Sequence, residues 1–168
     1  MKTAKRLLAL ALAGVMALAL LTGCSDSRSK AKQVEECFRS LMKTRQNVDY
    51  QKDETLDKKL EAIAQQFQPD WLDNRTGGLT EHARTIIINE LRGYLLTGSV
   101  WLWYGEVKPG QSALAQAESM KYIQEIVIAP LAPNTSTLQA IAFTMTGKKS
   151  DGRRYYLALQ TQATIKTP

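Results

Sequence analysis

The stretch that most limits how this chain can fold is its beginning. Met1 to Arg6 carries Lys2, Lys5 and Arg6 with no acid, and the 15 residues from Leu7 to Leu21 are apolar apart from the small Gly14. A helix crossing the hydrocarbon of a bilayer needs about 20 apolar residues, so this run is short for a permanent span. A basic start, a short apolar run and small residues behind it follow the order of an export signal that is removed. The folded part is therefore expected downstream.

The run closes on Leu21-Thr22-Gly23-Cys24, which resembles the lipobox of bacterial lipoproteins. The resemblance implies that the Cys24 thiol takes a diacylglycerol and that the chain is cut between Gly23 and Cys24. It also implies that the product is held by the lipid bilayer, at the cell membrane or an outer membrane, facing away from the cytoplasm. Acyl chains bury about 0.8 kcal/mol per methylene, and two hold far better than the marginal single chain. Ser25 resembles the residue found here in lipoproteins not retained at an inner membrane. The resemblance covers residues 1–24 only.

Removing residues 1–23 discards three of the 22 basic residues and none of the 16 acidic ones, so the formal charge falls from +6 to +3. The basic balance of the whole chain is thus poor support for nucleic-acid binding. The remaining 145 residues suit one domain, residues 31–168, behind a lipidated terminus and polar tether over 24–30. With Cys24 acylated, Cys37 is the only cysteine left, which excludes an intramolecular disulfide framework. It lies on an apolar stripe and is expected to be a packed thiol, an intermolecular bridge being the alternative. Arg28, Lys30 and Lys32 follow the lipid end, each able to add about 1 kcal/mol of attraction to an anionic surface.

Val34, Cys37, Phe38, Leu41, Met42 and Val48 recur at helical spacing and predict an amphipathic helix. Leu56, Leu60, Ile63 and Phe67 predict a second, opened by Asp53 as N-cap and stopped by Pro69. Asn47 to Lys52 is compatible with a break or a continuation between them. Gln68 to Leu79 has the Pro, Asp, Asn and Gly content of a loop. Residues 83–96 keep helical spacing at Ala83, Ile87, Leu91 and Tyr94, yet Thr85 to Ile88 is β-branched. Helix is favoured, with a buried strand as the alternative. Beyond Gly98 the character turns to strand: Val100–Val107, Met120–Ala129, Thr137–Thr146 and Arg153–Ile165, the last two joined through Asp151-Gly152 as a hairpin. Gln111 to Ser119 could be a short helix or the start of the following strand.

Helices first and antiparallel strands later predict an α+β fold, with N-terminal amphipathic helices packed on a curved antiparallel sheet that ends in a C-terminal β-hairpin. The order of elements resembles that of cystatin-like and NTF2-like folds; no motif carries the likeness and no functional residue is transferred by it.

Groups suited to catalysis are sparse. His82 is the single histidine, so a multi-histidine metal centre is excluded and no cofactor motif is found. Asp70 and Asp73 near His82 could form an acid/base pair in a small hydrolase or isomerase, but their spacing matches no motif. Trp101, Trp103 and Tyr104 form a candidate ligand platform, since Trp101 and Trp103 share one face of a strand. Lys148, Lys149, Arg153 and Arg154 at the hairpin tip form a candidate patch for an anionic partner. The leading expectation is a membrane-anchored, non-enzymatic binding module at the cell envelope, taking an envelope protein or small ligand. A structural subunit of an envelope or secretion assembly is the further alternative.

Overall fold

The computed structural model describes residues 27–73, 75–130 and 136–166. The stretch expected to be an export signal, with Gly23 and Cys24, lies outside them. Helix α1 runs Ser27–Gln46, so most of the stretch expected to be a polar tether is the helix's first turn. Its stripe of Val34, Phe38 and Met42 is fully buried, and Lys43 and Arg45 sit in the last turn, where cations oppose the carbonyl end of the helix dipole. Asn47, at φ 54°, ends it in the left-handed region that asparagine tolerates better than most residues.

The next few residues carry the chain around one edge of the sheet. Helix α2 (Glu54–Gln66) begins at Asp53, whose side chain accepts from Leu56 N at 2.7 Å and from the Tyr94 hydroxyl at 2.7 Å. A 3-10 turn (Pro69–Trp71) and helix α3 (Glu81–Leu91) follow, the latter capped by the Thr80 hydroxyl. The β-branched run is helical here because Ala83, Ile87 and Leu91 bury one face and the capped first turn secures its start. Strand β1 (Leu95–Glu106) starts before Gly98 rather than after it. The short helix α4 (Ala113–Glu118), β2 (Lys121–Ala129), β3 (Leu138–Met145) and β4 (Tyr155–Ile165) complete the order.

The sheet has the order β2-β1-β4-β3, antiparallel throughout, and β3 and β4 form the expected hairpin. The fold is α+β, with helices on both faces of the sheet. Leu56, Leu60, Ile63, Phe67, Ile87 and Leu91 pack with Val100, Leu102, Leu157 and Leu159 on one side. Val34, Phe38 and Met42 pack with Ala113, Ala117, Ile141, Tyr156 and Ala158 on the other. Strand β4 is central, so Tyr155 to Thr161 are all buried and the strand reads as a near-continuous run instead of a clean alternation.

The free edge of β3 is blocked by side chains and by the crossing segment, which keeps it from pairing with another chain. Gln51 N donates to Gln139 O at 2.8 Å and Gln51 O accepts from Ile141 N at 3.2 Å. Arg39, paired with Glu35 at 2.9 Å, donates to Ile141 O. Asp57 accepts the Phe143 N–H, and its half-burial, ahead of the opposing pull of Lys52, raises its pKa. A carboxyl raised on folding contributes stability that is present below the ordinary carboxylate range and is lost as pH rises through the raised value. Asp57→Asn keeps an acceptor for Phe143, so the variant should be more stable than the parent at pH 7, by less than about 1 kcal/mol given its exposure. The gain should vanish near pH 3, as urea unfolding at the two pH values would read; a gain unchanged at pH 3 would contradict this account.

Candidate functional site

Helix α1 covers only part of its sheet face, because the chain turns at Asn47 toward the β3 edge. The uncovered part is a cleft of about 500 Å³, within the range of small-ligand sites. The side-chain period of two puts Trp101 and Trp103 of β1 on this face, opposite Val100 and Leu102 in the other core. The register sets Gln160 of β4 beside Trp101, Tyr122 of β2 beside Trp103, and Gln139 of β3 beside Gln162 of β4. Gln46 from the last turn of α1, with Val48 and Tyr50 from the crossing segment, forms the remaining wall.

Gln160 is 4 % exposed, and its amide donates to Gln46 Oε1 and to the Tyr50 hydroxyl, each at 2.6 Å. The Tyr50 hydroxyl in turn donates to Gln46 Oε1. Burial raises the Tyr50 phenol, against a smaller lowering by the Gln160 bond. This triad ties the end of α1 to the central strand. Trp103 is held edge-on by Phe38 (5.6 Å between ring centres, 71°) and against Tyr122 (5.5 Å, 59°). Its indole Nε1 is the only buried side-chain polar atom among the described residues without a hydrogen-bond partner. Such a group costs about 1–3 kcal/mol. None of the cleft-lining residues is acidic, basic or histidine, so the site offers rings and carboxamides. A carboxamide both donates and accepts.

The other sequence candidates fall elsewhere. Tyr104 is on the opposite face from Trp101 and Trp103, lining a separate cavity of about 260 Å³ with Lys108, Lys121 and Arg153; alternation along β1 divides the proposed platform. His82 is exposed on α3 and Asp70 is exposed in the 3-10 turn. Asp73 accepts from Arg75 N at 2.8 Å, and this bond is the first cause of its lowered pKa. None of these three lines the cleft. Cys37 is half-buried, and burial followed by the nearby Glu36 and Glu118 carboxylates raises its thiol.

The hairpin-tip cations are divided as well. Lys149 donates to Ala64 O at 2.7 Å and Gln65 O at 3.1 Å, satisfying the last carbonyls of α2. Arg153 pairs with Glu106 at 3.2 Å, Arg154 is half-buried, and Lys148 is exposed. The turn is held by Asp151, which accepts from Arg153 N at 3.0 Å and from the Tyr155 hydroxyl. Those bonds, the tyrosine's first, lower Asp151. Burial and then the carboxylate push Tyr155 up to about 12.

Gln46, Tyr50, Tyr122, Gln139, Gln160 and Gln162 were not legible as site residues. The one local signal is Gln160-Thr161-Gln162, two amides at alternate positions of a strand whose first half is apolar and aromatic. Among the described residues there is no group of metal-ligating side chains and no helix long and apolar enough to cross a membrane. Comparison with protein-family models, curated proteins and solved structures gives no match, so the functional reading rests on the residues and their geometry.

Proposed function

We propose that this protein is a lipid-anchored, non-enzymatic binding module of the cell envelope, with the Trp101–Trp103 cleft as its ligand site. The observation that carries the binding half is the open cleft beside the end of α1, on a part of the sheet face that no helix covers, lined by rings and carboxamides. Such a lining suits recognition; its members are poor proton-transfer groups at neutral pH. The anchoring half is supported by the order of residues 1–24, with Cys24 as the acylated position. Only Ser25 and Asp26 separate Cys24 from the start of α1, a reach of about 10 Å when extended. An acylated chain would therefore hold its domain directly against the lipid headgroups.

Cys24→Ser tests the anchor. The parent should incorporate a labelled fatty acid and float with membranes, and the variant should do neither; a variant that still labels and floats would refute lipid attachment at Cys24. For the cleft, acrylamide quenching of tryptophan emission is informative because Trp71 is 4 % exposed in the opposite core, while Trp101 and Trp103 are only partly buried. A solubilised envelope fraction should reduce the quenching. Quenching unchanged at saturating fraction would remove the binding reading.

A further inference from the structure

On the reading that the cleft is a ligand site, we infer that its ligand is an uncharged glycan, one sugar ring lying against Trp101 and its neighbours continuing along β1 toward Thr97. A sugar ring has an apolar C–H face and a rim of hydroxyls, each both donor and acceptor. The partly exposed Trp101 indole suits the first, and stacking contacts of large aromatic rings supply affinity with little conformational entropy to lose. The carboxamides of Gln139 and Gln162, not fully buried on the same face, suit the second.

The surface beyond the cleft continues the same chemistry. Ser99 pairs with Gln162 and Thr97 with Thr164 in the β1–β4 register, and the two threonine hydroxyls meet at 2.7 Å. From Trp101 to Thr97 this row spans about 13 Å along the strand, longer than one sugar ring.

Other ligand classes fit less well. A phosphate or carboxylate would leave water for a cleft with no cation in its lining, an uncompensated desolvation, and the register sets Glu125 beside Trp101. An extended peptide would seek unpaired backbone groups, but β1 and β4 are inner strands with ladders on both sides. What this face presents is side chains.

The test uses the full chain, solubilised in a detergent without a sugar headgroup, on an array of neutral di- to hexasaccharides of hexose and N-acetylhexosamine units. Sialylated and sulfated counterparts and a set of tetrapeptides serve as controls, and Trp101→Ala and Gln162→Ala serve as variants. Gln162 is exposed, so its truncation guards against loss by misfolding. The parent should retain at least one neutral series, and each variant should bind it about tenfold more weakly, equivalent to about 1.4 kcal/mol. Retention of charged members alone, or of no glycan, overturns the glycan inference. Tetrapeptide binding lost in Trp101→Ala would overturn it while keeping the cleft as the site. Glycan retention unaffected by both variants would overturn the cleft itself. Self-association in sedimentation that disappears in Trp101→Ala would replace the glycan by a second copy of the chain.

Discussion

Gly98→Ala should lower unfolding free energy by about 4 kcal/mol or more, in the exceptional range for one methyl group. Gly98 is buried near the start of β1, at φ 109°, with β2 and β4 paired on either side. A Cβ there would collide with the Gln162 carbonyl oxygen and come within 2.6 Å of Ala163 Cα. Both are backbone atoms of β4, which cannot retreat without breaking the ladder at the centre of the sheet. The control is Gly110→Ala, where φ is 84° and nothing lies within 4 Å of the added carbon. That change adds conformational strain alone, about 1–3 kcal/mol. Urea unfolding of the two variants separates collision from strain, and equal losses would contradict the close approach of β1 and β4.

Phe38→Ala should cost about 3–5 kcal/mol, the range for emptying a buried aromatic site. Phe38 is 1 % exposed and fixes α1 on the sheet through Trp103 and through Phe143, whose ring centre is 6.0 Å away. Phe67→Ala should cost a similar amount in the opposite core, where Phe67 packs on Trp71 at 5.6 Å and Tyr155 at 5.4 Å. Each truncation also frees a tryptophan, Trp103 beside Phe38 and Trp71 beside Phe67, so both should increase acrylamide quenching of the folded protein, while only Phe38→Ala loosens the end of α1 that carries Gln46. A Phe38→Ala loss below about 1.5 kcal/mol would show that the helix is not held as described, since that is what removing a single buried methylene costs.

The two substitutions mark how far local reading reaches. Asp53 as N-cap, the stripes of α1 and α2, and the hairpin at Asp151-Gly152 were legible because each depends on residues within one turn. Gly98 was read as the point where strand character begins, yet it lies inside β1; its need for glycine comes from the backbone of β4, far along the chain. Lys149 was read as a free surface charge because its acceptors, Ala64 O and Gln65 O, lie at the end of a distant helix. The shared face of Trp101 and Trp103 follows from strand periodicity. Tyr104 falls outside it for the same reason.

Periodicity, caps and turn residues act over a few bonds, so the sequence alone set the α+β class and the order of most elements, while residues 83–96 and 111–119 stayed open between helix and strand. The backbone turn at Asn47 and the route past β3 sent α1 and α2 to opposite faces of the sheet. That choice is decided by how apolar faces distant in sequence can be covered together, which no local pattern encodes. The same packing stopped α1 short of Trp101 and gathered Gln46, Tyr50, Gln139, Gln160 and Gln162 around it, so the cleft is a property of the tertiary structure.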